Sequence, residues 1–325
     1  MKTAFALGWS QKADGPVPAD VQRGTVYPNI SENMPSPGSL SMTLTYPNIV
    51  PENNLRLPDA LTIKHGPAPL LSRFVLEGDK AGRRIGIRLR LRYDFEELLY
   101  LNKQKVANGT WYPLMRMFNP EYCDLSPENS YWISGEDEHG QLVATHAGRV
   151  HYWPNTTLEQ EANSMLYGGS DEGAGCVVTA PDAKTISGVV VYGGSAWVRP
   201  DFRGQGLSQL LPRIGRAYAL ARWPIDWGIS IVAPVLVEKG VAAGYGYKHT
   251  SYSIIFPGAP SGAVENALVS VSATEAYDDF AEILYSGLLA SESSRSAAAS
   301  SSPRLFDNIV TKTSSDVFQG SSNLS

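Results

Sequence analysis

A strand-like run, a short glycine loop and a helix-like run follow one another in the middle of the chain, and this order constrains the fold more than any other feature. The first run, TISGVVVYGGSAWVRP, begins at Thr185, and the second, LSQLLPRIGRAYALARW, begins at Leu207. The second run places its apolar residues at helical spacing, which predicts a helix with one buried face. DWGISIVAP, from Asp226, is typical of a further strand. The segment therefore predicts a sheet with a helix packed on its face.

The sequence before this segment adds further strands and helices. In RRIGIRLRLRY, apolar residues alternate with arginines, which is the period of a strand with one buried face. The arginine row indicates a solvated face, because a nucleic-acid stripe fits poorly with the net charge of -5. DFEELLYLNKQKVANG predicts a helix that Asp94 caps, with Glu97 returning the hydrogen bond. A second helical piece is expected at TWYPLMRMFN, and SYWISGEDEHGQLVATHAGRVHYW predicts two strands joined by a polar turn.

Composition divides the chain into three parts. Ten of the 22 prolines lie between Pro16 and Pro69, and no long periodic segment is evident between residue 1 and about residue 80. The stretch that begins SGLLASESSRSAAASSS at Ser286 is rich in serine and alanine and can bury little apolar surface. We therefore expect a proline-rich, partly irregular N-terminal extension over 1–80, a folded α/β domain (an α+β mixed sheet) over 81–289, and a disordered Ser/Ala-rich tail over 290–325.

Charge and cysteine usage exclude several classes of function. A net charge of -5 and a pI near 5.6 argue against a general nucleic-acid binder. The two cysteines, Cys123 and Cys176, form no CxxC pair and no His/Cys cluster, so neither a disulfide framework nor a metal site is expected. The apolar run TAFALGW is too short for a signal peptide, and no window reaches membrane-spanning length. We expect a cytoplasmic protein without nucleic-acid or membrane partners.

The glycine loop, Arg203-Gly204-Gln205-Gly206, lies where a strand is expected to end and a helix to begin. The first turn of a helix has unpaired amide N–H groups and the positive end of the helix dipole, which together stabilise an anion such as a phosphate. Glycine lets the backbone wrap around such a group, and Arg203 either adds charge or braces the loop. The alternative is a plain tight turn. The third glycine of a Rossmann fingerprint and the Gly-Lys-Ser/Thr of a Walker loop are both absent.

The stretch VRPDFRGQGLSQLL resembles motif A of the GNAT superfamily, the acyl-CoA-dependent N-acetyltransferases. The matching residues are, in order, Val198, Pro200, Arg203, Gly204 and Gly206. Ser208 stands where the family usually has glycine or alanine. The predicted order of strands and helices between residues 82 and 256 also follows the family order. The resemblance implies a GNAT-like acetyltransferase fold, in which helices flank a central mixed and splayed β-sheet.

The resemblance also implies where acetyl-CoA binds, as a co-substrate and without a metal. In the family, backbone amides of the loop hold the diphosphate, and acyl-pantetheine lies like an extra strand in the gap beside the motif A strand. The corresponding residues here are Ala196, Trp197, Val198, Arg203, Gly204, Gln205, Gly206, Leu207 and Ser208. Within the same strand, Gly193 and Gly194 either permit close approach or mark a β-bulge.

The activity that the resemblance implies is transfer of an acetyl or short acyl group from acyl-CoA to an amine of a small molecule or protein. Many family members place an Asn and a Tyr before a Gly-Phe pair. This chain has Val235 and Ala242 at those places, before Gly246 and Tyr247. The alternative is therefore a catalytically degenerate acyl-CoA-binding or regulatory module.

Several side chains are candidates for proton transfer. Tyr245 is a candidate general acid; the alternative is that its ring only packs against its neighbours. Glu238 is a second candidate for proton transfer; the alternative is that it only forms a local ion pair. His146 and His151 are placed either to relay a proton through water or to pack within a strand. The N-terminal extension is a candidate cover for the acceptor groove, or a contact in a homodimer.

Overall fold

An eight-stranded sheet forms the centre of the fold. The computed structural model describes residues 55–167, 175–255 and 265–287 of the chain. The strands are β1 (Arg88–Arg92), β2 (Ser130–Glu136), β3 (Leu142–Trp153), β4 (Val177–Val178), β5 (Gly188–Val198), β6 (Trp227–Val232), β7 (His249–Ile255) and β8 (Glu265–Ser272). Their order across the sheet is β1-β2-β3-β5-β6-β8-β7-β4.

Helices cover both faces of this sheet. They are α1 (Leu57–Ala60), α2 (Ala68–Arg84), α3 (Phe95–Ala107), α4 (Leu158–Tyr167), α5 (Leu207–Arg222), α6 (Pro234–Glu238) and α7 (Ala273–Ser286). On one face α2, α5 and α7 pack together, and Leu71, Ile214 and Phe280 belong to one buried cluster. On the other face, Phe95 of α3 and Leu158 of α4 belong to a second buried cluster. The predicted class, a mixed sheet flanked by helices, is confirmed.

The sheet splays between its two parallel strands. Every neighbouring pair is antiparallel except β5 and β6. Their pairing ends at Tyr192 and Ile229 after three residues of each strand. Beyond that point β5 continues to Val198 along β3, while β6 continues to Val232 along β8. A gap therefore opens between the second halves of β5 and β6, as expected for a splayed sheet.

A β-bulge lies on β5 directly after its two glycines. Ala147 of β3 pairs with Gly194, but Thr145 pairs with Trp197, so β5 has one more residue than β3 in this interval. Ser195, inside the interval, has a positive φ of 49°. An extra residue bends a strand and re-aims its side chains. The bulge that the sequence raised as an alternative is confirmed, and it lies beside the gap.

The N-terminal side of the fold differs from the sequence expectation. Helix α2 begins at Ala68, although no long periodic segment was expected before residue 80. Its buried residues include Leu71, Phe74, Val75 and Gly78, which are spaced as on one face of a helix. The helix crosses the predicted boundary between residues 80 and 81. Residues 1–54 of the extension and the tail over 290–325 lie outside the described residues, and the three-part division stays a prediction.

The prediction of a helix at TWYPLMRMFN is wrong. The structure has only a 3-10 turn there, Arg116–Phe118. The preceding loop is fixed by Asn102, whose Nδ2 donates to Tyr112 O at 2.8 Å and whose Oδ1 accepts from Leu114 N at 3.2 Å. Trp111 stacks on Trp197 of β5 with ring centroids 5.4 Å apart. Contacts with α3 and β5 therefore replace the helical hydrogen bonds of this segment.

The arginine row of β1 is held by carboxylates. Strand β1 begins at Arg88, and the arginines at 90 and 92 form ion pairs with Glu136 of β2 at 2.9 Å and 2.6 Å. Asp94 caps α3 as predicted, accepting from Glu97 N at 3.0 Å. The Glu97 carboxylate binds Arg92 at 2.8 Å. The capping box is therefore only half formed, because a nearby cation outcompetes the neutral amide for this carboxylate.

Candidate functional site

The glycine loop forms the junction between β5 and α5. Strand β5 ends at Val198, a 3-10 turn follows over Pro200–Phe202, and α5 begins at Leu207. Gly204 and Gly206 have φ angles of 80° and 82°, in the left-handed region that other residues enter only with strain. Buried Leu207 anchors the first turn of α5. The two glycines thus allow the reversal that brings the start of α5 beside the end of β5.

The backbone of this loop is open to a ligand. Within the described ranges, the amide N–H groups of residues 204–208 have no hydrogen-bond acceptor. A Cβ added to Gly204 or Gly206 would meet no atom of the described chain within 4 Å. No acidic residue lies in the first turn of α5, a helix of 16 residues. Adjacent amides and the helix dipole therefore form an anion site that none of the described residues fills.

Arg203 braces the loop. Its Nε donates to Val198 O at 3.1 Å, which ties the loop to the last residue of β5. Its side chain forms no ion pair with the described part of the chain. The structure thus supports the bracing role, and it leaves the positive charge of Arg203 exposed beside the open amides.

A cleft of about 460 Å³ extends from the loop into the gap between β5 and β6. We call it the β5–β6 cleft. Seven of the nine residues predicted to bind acetyl-CoA line it, namely Ala196, Trp197, Val198, Arg203, Gly204, Leu207 and Ser208. The other two, Gln205 and Gly206, are exposed in the loop above it. The structure therefore brings loop and strand residues to one continuous site.

The closed end of the β5–β6 cleft is polar. A Cβ on Gly193 would lie 3.1 Å from His146 Nε2 and 3.2 Å from the hydroxyl of Tyr247, so both groups face this glycine. The Tyr247 hydroxyl donates to Ile229 O at 3.4 Å. Burial, with a smaller contribution from Arg216, lowers the pKa of His146 to about 3, so that this imidazole is neutral near pH 7. The groups that approach Gly193 closely are therefore the side chains of His146 and Tyr247.

A buried arginine holds the segment that carries the two tyrosines. Arg216 of α5 is 3% exposed, and its guanidinium donates to Gly246 O at 2.7 Å and to Tyr245 O at 2.8 Å. The same guanidinium lies 4.3 Å from the ring centroid of Tyr247. Burial raises the pKa of Tyr247, while the charge of Arg216 opposes that rise. Tyr247 therefore has a cation directly against its ring.

The two predicted catalytic side chains are placed differently. Tyr245 is half-buried and lines the cleft, and burial followed by the proximity of Tyr247 raises its pKa. Glu238 is exposed at the end of α6, does not line the cleft, and forms no ion pair within the described ranges. Sequence reasoning did not single out Tyr247, although Gly193 and the Gly-Tyr pair were both noted. Tyr247 lies beside Gly193 and His146 only in the folded chain, where β3, β5 and residue 247 come together.

Two kinds of feature are absent from the part of the chain that the structure describes. Among residues 55–167, 175–255 and 265–287, no helix is long and apolar enough to cross a membrane. The same residues contain no group of three or more His, Cys, Asp or Glu side chains arranged to hold a metal ion. Both cysteines are free.

Comparison with known proteins gives matches to solved structures only. No protein-family model and no curated protein matches the sequence. RimJ from Mycobacterium smegmatis in complex with CoA-disulfide is 14% identical, with 62% of this chain and 90% of that chain covered and a TM-score of 0.34. NAA60 from Arabidopsis thaliana in complex with acetyl-CoA is 11% identical, with 58% and 99% covered and a TM-score of 0.34. A variant of the spermidine N-acetyltransferase SpeG from Vibrio cholerae is 7% identical, with 59% and 96% covered and a TM-score of 0.35.

The structural class agrees with the motif. The described residues have the GNAT-type arrangement that the sequence predicted, a mixed sheet with helices on both faces that splays beside the motif A strand. Of the three matched structures, one is a spermidine N-acetyltransferase and the other two are complexes with CoA-disulfide or acetyl-CoA. Because TM-scores of this size carry no functional argument, the function is inferred from the loop and the cleft alone.

Proposed function

We propose that this protein is an acyl-CoA-dependent N-acyltransferase that transfers an acetyl or short acyl group to an amine of a small molecule or protein. The single observation that carries the proposal is the continuity between the open amides of residues 204–208 and the β5–β6 cleft. An anion site alone fits many ligands. An anion site joined to an unpaired strand edge fits a ligand with a phosphate group and a long amide-bearing arm.

The residues present fit acetyl-CoA. The open amides and the exposed Arg203 suit a diphosphate, since amides at a helix N-terminus bind phosphate oxygens. Beyond Tyr192, β5 has no ladder partner on the β6 side within the described ranges, so its backbone groups are available to an extended arm. When bound, acetyl-CoA supplies the activated acyl group and a thiol leaving group.

The chain's own groups suit the chemistry of acyl transfer. The cleft wall formed by Trp197, Leu211 and Leu236 is apolar, which favours the neutral form of an amine over its ammonium form. Backbone N–H groups along the unpaired edge of β5 are donors for developing negative charge on an oxygen. The tyrosines at the cleft hold hydroxyl protons at neutral pH. These groups exclude water, orient an acyl group and donate protons.

Calorimetry with acetyl-CoA tests the proposal. The wild-type chain is expected to bind, and Gly206→Arg is expected to lose binding at least tenfold, because a side chain at this position strains the loop and covers the amides. Gly86→Arg is the matched control: Gly86 has a φ of 76° and open space around it, but lies in the turn before β1. Equal acetyl-CoA affinity in the two variants would exclude the loop as the binding site.

A second candidate function is a non-catalytic acyl-CoA-binding or regulatory module. The observation that favours it is that Val235 and Ala242 stand where the family has Asn and Tyr. Val235 is exposed on α6, and Ala242 is buried in the turn that follows. Release of free thiol from acetyl-CoA distinguishes the candidates. Spermidine, an aminoglycoside and a peptide with a free N-terminus serve as the amine panel. Binding without thiol release above the rate in buffer across this panel supports the module.

We further propose the location and organisation expected from the sequence. The chain is assigned to the cytoplasm, and the part of the extension before residue 55 is the candidate homodimer contact. The acyltransferase domain predicted over 81–289 is proposed to include α1 and α2 as well, because the buried core starts at Leu57. The ion pairs of Arg90 and Arg92 with Glu136, and of Arg92 with Glu97, support the absence of a nucleic-acid partner, because the two carboxylates offset the two guanidinium charges.

A further inference from the structure

The Tyr247 hydroxyl lies where the gap between β5 and β6 closes. Tyr192 and Ile229 are the last residues at which β5 and β6 pair with each other, and Gly193 is the first residue of β5 without a partner on the β6 side. The hydroxyl of Tyr247 reaches both sides of this point. It donates to Ile229 O at 3.4 Å, and it would lie 3.2 Å from a Cβ on Gly193. This side chain therefore forms the inner end of the β5–β6 cleft.

The reacting end of the ligand is expected near this inner end, a step that rests on the proposed function. The diphosphate site is at the outer end of the cleft, beyond Val198. The stretch of β5 from Val198 back to Gly193 spans roughly 17 Å at the rise of an extended strand. An arm that starts at the loop and lies along this edge carries its sulfur toward Gly193 and Tyr247.

Tyr247 is better equipped than Tyr245 to lose a proton briefly. The Arg216 guanidinium lies 4.3 Å from the Tyr247 ring centroid and stabilises negative charge on that side chain. Tyr245 also lines the cleft, but within the described ranges no cation lies against its ring, and Arg216 contacts only its backbone oxygen. Gly246 separates the two tyrosines with a φ of 76°, which turns the chain sharply between them. The two side chains therefore have different surroundings.

We infer that Tyr247 is the general acid of the proposed acyl transfer, in place of the family's missing tyrosine, and that Arg216 is its positioning residue. As the amine nitrogen forms its bond to the acyl carbon, the bond between that carbon and sulfur breaks. Tyr247 gives its hydroxyl proton to the departing sulfur. The proton that the amine nitrogen loses passes to water in the cleft, and Tyr247 regains a proton from water after the thiol leaves.

Binding of CoA and of desulfo-CoA, which lacks the sulfur, tests this role without an acceptor amine. Wild type is expected to bind CoA roughly tenfold more tightly than desulfo-CoA at pH 8.5, because the Tyr247 hydroxyl hydrogen-bonds to a thiolate. Tyr247→Phe keeps the ring and its contact with Arg216, and is expected to bind both ligands equally. Tyr245→Phe tests the rival tyrosine of the same cleft, and it is expected to keep the preference. Calorimetry gives the affinities, and thermal unfolding checks that each variant folds.

Each outcome decides between distinct conclusions. Loss of the CoA preference in Tyr247→Phe alone supports the inference. Loss in Tyr245→Phe alone assigns the sulfur contact to Tyr245 and overturns it. Equal wild-type affinities for CoA and desulfo-CoA also overturn it, while leaving the proposed function intact. Failure of the wild-type chain to bind either ligand overturns the proposed function itself, and the inference with it.

Discussion

Individual glycines serve the site for different physical reasons. Gly204 and Gly206 are required by their positive φ angles, and no atom of residues 55–167, 175–255 or 265–287 occupies the space beside them. Gly193 is required by space, because His146 and Tyr247 fill the position of its missing side chain. The sequence raised close approach as the reason for glycine at both places. Only the structure separates a site left open for a ligand from one already occupied by neighbouring side chains.

Two buried histidines make stability depend on pH. Burial is the main cause that lowers the pKa of His146 and of His151 to about 3 in the folded chain, against about 6.5 in the unfolded chain. The unfolded chain therefore binds more protons between these two pH values. The stability contribution is complete above about pH 6.5 and is lost progressively as the pH falls toward 3. Each histidine adds a slope of about 1.4 kcal/mol per pH unit within this window.

The measurement is urea unfolding at several pH values between 7.5 and 4.5. His146→Gln is expected to reduce the pH slope of the unfolding free energy by about 1.4 kcal/mol per unit, since glutamine does not titrate. His139→Gln is the matched control, because the His139 side chain is 77% exposed in the turn between β2 and β3. Identical slopes in wild type and His146→Gln would show that His146 has the same pKa in the folded and the unfolded chain.

Among the elements, those with a clear period were predictable from sequence. The alternation in β1 and the apolar spacing in α5 each predicted the element that forms. Helix α2 was missed because Pro67 precedes it and Pro69 lies in its first turn, and because its buried face includes glycine at 78 and 82. These glycines carry no apolar signal. A Cβ on Gly78 would lie 2.6 Å from Ile214 Cδ1, so its lack of a side chain lets α2 approach α5 closely.

The site was predictable only where it is continuous in sequence. The junction of β5 and α5 is one segment, and its motif gave both the loop and the strand edge. The inner end of the cleft combines Gly193, His146 and Tyr247 from separate parts of the chain. Their meeting depends on the register of β3 against β5 and on the way Arg216 holds residues 245 and 246. No local pattern encodes such a meeting.

The packing of α2 against α7 is expected to stabilise the fold. Phe74 is 0% exposed and stacks on Phe280 of α7 with ring centroids 4.3 Å apart. Phe74→Ala is expected to lower the free energy of unfolding by about 3–5 kcal/mol, through lost apolar burial and the cavity left behind. Leu76→Ala on the same helix is the control. Leu76 is 39% exposed, and its truncation is expected to cost less than about 1 kcal/mol. Similar losses in chemical denaturation would contradict the structural role of α2.

In the whole molecule, the sheet positions both halves of the site. Strand β5 is held by β3 along its length on one side, whereas on the other side β6 leaves it after Tyr192. Because β6 then follows β8, the gap is maintained by pairing on both flanks. Helix α5 lies under the cleft and connects its two ends, with the open amides at its start and Arg216 farther along. A rigid frame thus surrounds an unpaired strand edge, as preorganised binding requires.

The folded unit of the chain is expected to begin before residue 81, close to residue 55. The buried clusters start at Leu57, and Arg56 forms an ion pair with buried Asp79 of α2 at 2.8 Å. Deletion of 1–54 is therefore expected to retain cooperative unfolding and acetyl-CoA binding. Deletion of 1–80 removes α1 and most of α2, which uncovers apolar surface on α5 and α7 and is expected to abolish cooperative unfolding. Thermal unfolding by circular dichroism distinguishes the two deletions. Equal unfolding temperatures would mean that α2 is dispensable and that the domain does begin near residue 81.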